Sequence, residues 1–473
     1  MNRRDFLKKC AAVGVGGFVL SNRTLEIRRG SKRPNILFIM SDQHNARALS
    51  CYGNNQISTP SMDRLAAKGV LFERAFCQTG QCVPSRYSIF TGRYARSHGT
   101  YSNGQTQNPE EKTAAELFGE AGYVTGTIGK HHMVMNKVTQ NHGFDLVSTP
   151  SAPGLTKEGT FLPYDEVHPG RAAVGETALS NDEHRAGQIT TEAIEFLREN
   201  KDRPFVLWYS FWGPHTPICP SAPWSRQYNP DQLTLPLNLG TIDEHMPGVE
   251  KLLTKSGKFS EEQFHRQTLA YYYGLVSQID YNIGRVLNEL DALDLSDNTI
   301  VVYTADHGEM MAEHGAWTKG RTGYDAQIRV PLIISWPGNF STGKRLSELV
   351  CSIDLLPTLL DAAGLAIPDN VQGRSLVPLV QGNTKQWRDY VFSEIGGSTK
   401  NTCIMTRSQT HKYVLFRTDH QTEHEQIFDL VKDPWEMHNV VADERYAEVL
   451  TDLREALARW ERQTSTVAPM ESR

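Results

Sequence analysis

The sequence predicts an α/β fold in which a large, mostly parallel sheet is sandwiched by helices and followed by a smaller C-terminal α+β subdomain. Apolar runs of strand length alternate with helical patterns over residues 31–380. Beyond residue 380 the strands become short, and one amphipathic segment closes the chain. We therefore expect a main domain over 31–380 and a subdomain over 381–473.

The predicted elements follow one another along the chain. Strands are expected in the main domain at Asn35–Met40, Tyr123–Ile128, Phe205–Ser210, Thr299–Thr304 and Val330–Ser335. Helices are expected between them at Pro60–Lys68, Thr113–Glu120, Glu183–Glu199, Thr268–Leu293 and Asp354–Ala363. The subdomain should contain strands at Tyr390–Ser393, Cys403–Thr406 and Lys412–Phe416, and a helix at Glu444–Arg462. Strands separated by helices favour parallel pairing in the main sheet.

Residues 1–30 are predicted to form an export signal rather than part of the fold. Four basic residues within Met1–Lys9 precede a short apolar run at Cys10–Leu20, which is the order typical of secretory signals. The run is shorter than the ~20 residues of a transmembrane helix. The Arg3-Arg4 pair followed by Asp5–Lys8 resembles a twin-arginine signal. We expect a periplasmic or extracellular protein with no stable membrane insertion beyond this segment; a frayed basic N-terminus is the alternative.

The composition excludes several classes of protein. The 473 residues include 49 Lys and Arg and 54 Asp and Glu, for a net charge of -5, and no long basic block occurs. A nucleic-acid partner is therefore not expected. The 7 Cys are scattered and include no Cys-x-x-Cys pair, which argues against a disulfide scaffold and against a zinc ribbon.

Polar residues follow four of the predicted strands. They are Asp42 and Gln43, Lys130 with His131 and His132, His215, and Asp306 with His307. Ligands of open α/β sheets bind outside the carboxyl ends of the strands, although a carboxylate there can also cap the next helix. Two carboxylates and an amide oxygen suit Ca²⁺ or Mg²⁺, whereas the His307 imidazole favours a transition metal.

A further candidate is Cys82, which leads into a predicted helix. The stretch Cys82–Arg86 runs on to Thr91–Arg93. A thiol at the start of a helix has a depressed pKa and can act as a nucleophile. A packed structural cysteine is the alternative.

This stretch resembles the signature of type I sulfatases, which belong to the alkaline phosphatase superfamily. The signature consists of Cys82-x-Pro84-Ser85-Arg86 followed by Thr91-Gly92-Arg93. Other segments stand in the order of that family, namely Asp42-Gln43, Gly129–His132, Gly213–His215, Asp306–Gly308, Lys319, Arg329–Pro331, and Asp429-Leu430 with Asp433-Pro434. The resemblance spans nearly the whole chain after the signal. It implies an alkaline phosphatase-like fold with a catalytic domain over 31–380 that hydrolyses sulfate monoesters.

The resemblance also implies a role for each candidate residue. A maturation enzyme oxidises Cys82 to formylglycine, whose hydrate attacks sulfur. Asp42, Gln43, Asp306, His307 and residue 82 hold one divalent cation, Ca²⁺, with Mg²⁺ or Mn²⁺ as alternatives. Arg86 and Lys130 neutralise the nucleophile and the sulfate, and His132 is the base that breaks down the sulfated intermediate. His215 and Lys319 bind at the leaving oxygen, and one of them acts as the acid.

The sequence departs from the commonest family pattern at two metal positions. Many members have a second Asp where this chain has Gln43, and an Asn where it has His307. These residues remove a negative charge and leave the identity of the metal open. They are compatible with a phosphonate monoester or phosphodiester hydrolase of the same superfamily. A third possibility is a non-catalytic, exported binder of sulfated glycans in which Cys82 is never converted.

The loops favour a sulfated sugar as substrate. Two long stretches, Thr149–Gly175 and Ile218–Gly248, interrupt the strand–helix pattern and carry Tyr164, His168, Trp224 and Tyr228. Aromatic faces pack on sugar rings, and cations bind their anionic groups. Packing of these aromatic residues within their own loops is the alternative.

Overall fold

The computed structural model describes residues 33–464, apart from 106, 109, 134–140, 151–154, 156–157, 162–173, 251, 253–261, 399–400 and 420. The predicted export signal and the loop residues Tyr164 and His168 therefore lie outside the described residues. Within the described part, no helix is both long enough and apolar enough to cross a membrane.

The strands of the described chain form one large sheet, one four-stranded sheet and one two-stranded sheet. In chain order they are β1 Asn35–Asp42, β2 Val70–Phe76, β3 Val124–Gly129, β4 Leu146–Ser148, β5 Gly159–Phe161, β6 Gly175–Thr177, β7 Phe205–Pro214, β8 Thr299–Ala305, β9 Arg329–Val330, β10 Leu332–Ser335, β11 Lys344–Cys351, β12 Val391–Ser398, β13 Asn401–Arg407, β14 His411–Thr418 and β15 Gln421–Asp429.

The α-helices are α1 Pro60–Lys68, α2 Cys82–Thr91, α3 Ala95–His98, α4 Ala114–Glu120, α5 Arg185–Asn200, α6 Glu262–Ala292, α7 Asp325–Ile328, α8 Leu355–Ala362, α9 Val377–Val380 and α10 Ala447–Gln463. Short 3₁₀ turns lie at Ser50–Tyr52, Trp224–Arg226, Pro230–Gln232, Ser296–Asn298, Glu313–Gly315, Ser352–Asp354 and Glu444–Tyr446.

The large sheet is mostly parallel, as predicted. Its order is β11-β2-β10-β8-β1-β7-β3-β4, and β9 pairs with β2. Strand β1 lies between β8 and β7 and is parallel to both, while β10 runs antiparallel to β2 and β8. The central position of β1 places its carboxyl end between those of β8 and β7.

Helices cover both faces of this sheet because the buried strands are apolar on both sides. Along β1, Ile36, Phe38 and Met40 belong to one core cluster, which also contains residues of α2, α4 and α8. Leu37 and Ile39 belong to the other cluster, with residues of α1, α5 and α6. This arrangement confirms the predicted fold class.

The sequence pattern does not predict β2, β11 or β15. Each of these strands has charged or polar residues within it, such as Glu73 and Arg74 in β2, so none reads as an apolar run. The predicted strand Val330–Ser335 is divided into β9 and β10 at Pro331, which cannot donate a ladder hydrogen bond.

The sheet of the C-terminal subdomain packs between the main domain and the subdomain's helix α10. Strands β12–β15 form an antiparallel sheet. Its side chains alternate along each strand: Val414 and Phe416 of β14 join the main core, whereas Tyr413 and Leu415 pack with Trp460 of α10. The period of two residues thus attaches the subdomain to the main domain by one whole sheet face.

A buried ionic network fixes this attachment. Asp325, the first residue of α7, pairs with Arg407 of β13 at 2.6 Å and with Lys412 of β14 at 2.5 Å. Lys412 also pairs with Glu436, whose carboxylate accepts a hydrogen bond from the Asp325 main-chain N–H at 2.7 Å. Burial would raise the pKa of Asp325, but Arg407 and Lys412 hold it well below its ordinary value.

Replacing Lys412 with Met should lower the free energy of unfolding by about 3–5 kcal/mol, because it leaves buried carboxylates without a cation. Urea unfolding followed by circular dichroism measures this loss. The matched control is Lys432→Met, since Lys432 pairs with Asp429 at the surface and should leave the urea midpoint unchanged. Equal midpoints for the two variants would contradict the role assigned to the network.

Candidate active site

The candidate site lies at the carboxyl edge of the large sheet, where three parallel strands deliver their polar residues. Asp42 ends β1, and Asp306 follows β8, whose Ala305 is in register with Ser41. His215 follows β7, and its main-chain N–H donates to the main-chain oxygen of Asp42 at 3.1 Å. The strand-end argument therefore correctly predicts that these side chains gather together.

Lys130 joins the group from β3. Its main-chain N–H donates to the Ser210 oxygen of β7 at 2.8 Å. The preceding Gly129 has φ 101°, and a Cβ at this position would stand 2.0 Å from the Ser210 oxygen. Only glycine allows this close approach of the two strands, which directs Lys130 toward the site.

Cys82 begins α2 and is 1% exposed. Its Sγ lies 3.0 Å from Lys319 Nζ, 3.2 Å from His307 Nε2 and 3.7 Å from Asp42 Oδ1. Burial and Asp42 would raise the pKa of this thiol, but Lys319, Lys130 and His307 together hold it well below its ordinary value. The packed cysteines Cys77 and Cys403 show the opposite behaviour, since burial raises the pKa of both thiols. Cys82 therefore differs from a structural cysteine.

Arg86 lies one turn after Cys82 and is also 1% exposed. Its Nε donates to Asp306 at 2.8 Å and its Nη2 to Asp42 at 3.1 Å. Its Nη1 donates to the Lys130 main-chain oxygen at 2.5 Å and to Ser210 Oγ at 2.8 Å. The guanidinium thus joins the ends of β1, β3, β7 and β8 to the helix that carries Cys82.

Two lysines add positive charge on either side of Cys82. Lys130 Nζ lies 2.5 Å from Asp42 Oδ2 and 4.0 Å from Cys82 Sγ. Lys319 Nζ contacts Gln43 Oε1 at 2.8 Å and His307 Nε2 at 3.1 Å, in addition to Cys82. Burial would lower the pKa of Lys319, but Cys82 and Asp42 raise it above its ordinary value. Its ammonium is therefore protonated at neutral pH.

The donor set fits a divalent cation. Ligand atoms of Asp42, Cys82, Asp306 and His307 all lie within 4.8 Å of one another, and all four residues are buried. His307 Nδ1 is 2.8 Å from the Gly308 main-chain oxygen, so its proton is assigned there and Nε2 is left as the ligand atom. Carboxylate oxygens with one imidazole suit Ca²⁺ or Mn²⁺.

Gln43 presents its amide oxygen to this cluster because a second residue holds the amide group. Gln43 Nε2 donates to the buried Glu309 carboxylate, which also accepts the main-chain N–H groups of Met311 and Thr318. The remaining Gln43 Oε1 faces Lys319. Sequence reasoning missed Glu309; the signal available was an acidic residue three positions after Asp306 in a chain with a neutral ligand at 43.

The three histidines outside the cluster differ in their surroundings. Burial, reinforced by Lys319, lowers the pKa of His215 to about 4, so its ring is neutral at pH 7. Its Nδ1 lies 2.6 Å from the Thr216 main-chain oxygen. His131 is buried against Phe90 and Phe144, and burial lowers its pKa to about 3, as a core histidine requires. His132 is exposed.

A cavity of about 490 Å³ adjoins Lys319. Its polar lining comes from Gln81, Asn103, Lys319, Arg321 and Asn401, and its apolar wall includes Leu252 and Ile395. Ile395 and Asn401 belong to β12 and β13, so the C-terminal subdomain forms one side of the cavity. Its size lies within the range of small-molecule sites.

Trp224 and Tyr228, the two described aromatic residues predicted to bind sugar, do not line this cavity. Trp224 packs against Tyr281 of α6, with ring centroids 5.1 Å apart. The Tyr228 hydroxyl is 2.6 Å from Ser277 Oγ of the same helix and accepts the Ser58 main-chain N–H at 3.0 Å. The prediction was wrong for these two, because they fix the loop to α6.

Comparison with known families gives two matches along the chain. The family described as Sulfatase matches residues 34–365. The family described as N-sulphoglucosamine sulphohydrolase, C-terminal, matches residues 312–463. Together they span both the large sheet and the C-terminal subdomain.

Individual proteins resemble the chain over nearly its full length. An arylsulfatase of Clostridium perfringens is 34% identical over 459 residues, covering 90% of this chain and 94% of that protein. A protein solved in complex with its substrate D-glucosamine-2-N,6-O-disulfate has a TM-score of 0.75 at 27% identity, covering 92% of this chain and 98% of its own. A phosphonate monoester hydrolase of Agrobacterium radiobacter has a TM-score of 0.78 at 26% identity, covering 91% and 96%.

Glu309→Gln should weaken the affinity for Ca²⁺ and Mn²⁺ by about 10- to 100-fold, because an uncharged partner no longer fixes the Gln43 oxygen toward the cluster. Isothermal titration calorimetry of the metal-stripped protein measures this loss. The matched control is Glu195→Gln, on the exposed side of α5, which should bind both ions as the wild type does. An unchanged affinity in Glu309→Gln would contradict the positioning role.

Proposed function

The chain belongs to the sulfatase family and is a sulfuric ester hydrolase, and we propose that it removes sulfate from a sulfated carbohydrate at the Cys82 site. The observation that carries this proposal is the contact of Cys82 Sγ with both Lys319 Nζ, at 3.0 Å, and His307 Nε2, at 3.2 Å. The signature residue therefore adjoins both the candidate cation ligands and the cavity.

We propose that Cys82 is converted to formylglycine by a maturation enzyme. The modified residue would supply an aldehyde hydrate with one hydroxyl to take the sulfuryl group and a second whose deprotonation releases sulfate. The chain's own contribution is placement: residue 82 begins α2 next to Lys130 and Lys319, where positive charge stabilises an anionic oxygen.

One divalent cation is proposed at Asp42, Gln43, Asp306 and His307, together with residue 82. Ca²⁺ fits the oxygen ligands, and Mg²⁺ and Mn²⁺ are the alternatives. Bound there, the ion would act as a Lewis acid toward a sulfate oxygen. Arg86 serves this site by holding the carboxylates of Asp42 and Asp306, each of which accepts one of its hydrogen bonds. Two further hydrogen bonds, to Ser210 Oγ and to the Lys130 main-chain oxygen, fix the guanidinium itself.

Three side chains are proposed to handle charge and protons during the reaction. Lys130 and Lys319 bind the sulfate, and Lys319 is the proton donor to the leaving oxygen, because its Nζ carries protons and lies 3.0 Å from Cys82 Sγ. The neutral His215 ring keeps Nε2 free to accept a hydrogen bond from the substrate. His132 is proposed as the base, with an exposed side chain that can pass its proton to water.

A sulfated carbohydrate is supported as substrate by two features. Amide groups of Gln81, Asn103 and Asn401 line the cavity beside Lys319, and amides hydrogen-bond sugar hydroxyls in both directions. The similar protein with a glucosamine disulfate substrate shares 27% of its sequence with this chain.

Export to the periplasm or beyond is proposed from the Arg3-Arg4 pair and the apolar run that follows it.

Phosphonate monoester hydrolysis is the second candidate function. It is favoured by the neutral ligands Gln43 and His307 and by the similarity to the Agrobacterium radiobacter hydrolase. The same positive groups would stabilise the spread oxygen charge of a phosphoryl group.

Cys82→Ser should lower the turnover of a sulfate ester by roughly a thousandfold or more, because an ordinary hydroxyl cannot release sulfate as the aldehyde hydrate does. Rates on 4-nitrophenyl sulfate and the unfolding midpoint would be measured together, and the midpoint should stay near that of the wild type. Cys51→Ser is the matched control and should keep full turnover. Undiminished turnover in Cys82→Ser would refute the proposed nucleophile.

The mass of residue 82 tests the modification directly. The peptide that contains Cys82 should be lighter by about 18 Da as the aldehyde, and nearly unchanged in mass as its hydrate. Protein expressed without the maturation enzyme should retain a thiol that reacts with an alkylating reagent, and should be inactive. A fully alkylated Cys82 in active protein would contradict the proposal.

Relative rates on aryl esters separate the two candidate functions. We expect kcat/KM for 4-nitrophenyl sulfate to exceed that for 4-nitrophenyl phenylphosphonate, because the chain belongs to the sulfatase family. Both reactions would be followed by nitrophenol absorbance in the same buffer with the same metal. A higher value for the phosphonate would assign the second function.

A further inference from the structure

We propose that Arg321 forms an anionic subsite beside Lys319 and binds a second negatively charged group of the substrate, either a carboxylate or a second sulfate. This inference rests on the proposed carbohydrate sulfatase function and specifies its substrate class. The preferred substrate is a sugar unit, or a pair of linked units, that carries one anionic group in addition to the sulfate to be removed.

The position of Arg321 is the first argument. Arg321 stands two residues after Lys319, and both side chains line the same cavity. Lys319, which lines this cavity, also contacts Cys82. A substrate whose sulfate reaches Cys82 past Lys319 would place its neighbouring groups beside Arg321.

The second argument is the weak pairing of this guanidinium. Its carboxylate neighbour is Glu423 at 3.6 Å, a residue whose side chain is 42% exposed. A charge-assisted hydrogen bond from a guanidinium is usually about 2.7–2.9 Å long, so among the described residues this pair leaves donors of Arg321 available. By contrast, Arg388 and Arg407 each donate two hydrogen bonds to one buried carboxylate, Asp354 and Asp325 respectively.

The third argument is that the C-terminal subdomain limits the space open to the Arg321 side chain. Its guanidinium carbon lies 6.0 Å from the ring centroid of Phe416, a residue that is fully buried in β14. Glu423 comes from the neighbouring strand β15. A side chain that is already restrained loses less conformational entropy when it binds a ligand.

The chemistry of a guanidinium selects the kind of group that binds. Its planar fork of N–H donors matches the paired oxygens of a carboxylate or a sulfate. Nearby amide groups suit the hydroxyls of the same sugar; Asn103 Oδ1 accepts the Val83 main-chain N–H at 3.0 Å, so its NH₂ group remains for a ligand. A singly charged sugar sulfate would occupy Lys319 but leave Arg321 without an anion.

The test uses the mature holoenzyme and substrates that differ by one anionic group. The probes are N-acetylglucosamine 6-O-sulfate, glucosamine 2-N,6-O-disulfate, and a disaccharide of 6-O-sulfated N-acetylglucosamine with a uronic acid. We expect at least one doubly anionic probe to have the higher kcat/KM, by about tenfold to a hundredfold. The disulfate and the uronate separate the two kinds of second anion.

Two variants of similar size should change this preference in opposite directions. Arg321→Gln should bring the ratio of doubly to singly anionic kcat/KM close to one, mainly through KM, whereas Glu423→Gln should raise the ratio because it removes a competing anion. Arg226→Gln, a surface arginine paired with Glu176, is the matched control and should keep the wild-type ratio. A ratio that is the same in Arg321→Gln and in the wild type would overturn the subsite.

Failure of the proposed function has a different signature. In that case the wild type would be inactive on 4-nitrophenyl sulfate and on all three sugars. Calorimetric binding of glucosamine 2-N,6-O-disulfate to Cys82→Ser and to Cys82→Ser/Arg321→Gln then decides the subsite without turnover. Weaker binding by about tenfold or more in the double variant supports it, and equal binding overturns it.

Discussion

The active site depends on one buried guanidinium. Asp42 ends β1 and Asp306 follows the adjacent strand β8, so their carboxylates are brought together at fully buried positions, where two like charges repel strongly. Arg86 donates to both of them, at 3.1 Å and 2.8 Å. Because the same guanidinium also binds the Lys130 main chain and belongs to α2, it positions the proposed nucleophile at residue 82 relative to the candidate cation ligands. Burial and Asp42 raise the pKa of Asp306, and Arg86 opposes them. The pKa of Asp42 is lowered, because Lys130, Lys319, His215 and Arg86 overcome the effect of burial. The neighbouring positive charges therefore stabilise the Asp42 carboxylate more than that of Asp306.

The site also depends on the C-terminal subdomain. The segment from Lys319 to Asp325 runs from the catalytic cluster to the buried ionic network that holds β13 and β14. Its inner end contacts Cys82, and its outer end pairs with Arg407 and Lys412. A shift of the subdomain would therefore move Lys319 as well as the cavity wall. This connection places the proposed proton donor Lys319 and the proposed anion-binding residue Arg321 on one short loop between two sheets.

The sequence predicts the parts of this site that follow from strand geometry and from the signature. Parallel strands bring their carboxyl ends to one edge, so Asp42, Asp306 and Lys130 could be placed together before the structure was known. The strands β2, β11 and β15 could not be predicted, because their charged residues hide the apolar pattern and only tertiary pairing makes them strands. Glu309 was missed because its role depends on where the Gln43 amide points, and the only sign of it in the sequence is an acidic residue three positions after Asp306. The loop aromatics Trp224 and Tyr228 were misread because periodicity does not tell packing from exposure.

Gln43 makes the charge of the candidate metal site less negative than the commoner Asp would. Arg86, Lys130 and Lys319 are three cations, and they face the two carboxylates Asp42 and Asp306. With a divalent ion bound, positive charge exceeds negative charge at the point where an anionic ester has to bind. A second Asp at position 43 would reduce this excess. Here a carboxylate is instead held behind Gln43, at Glu309, which accepts a hydrogen bond from the Gln43 amide. The excess of positive charge extends through Lys319 into the cavity that Arg321 lines, so a substrate carrying two anionic groups is attracted by the same field that stabilises its reacting sulfate.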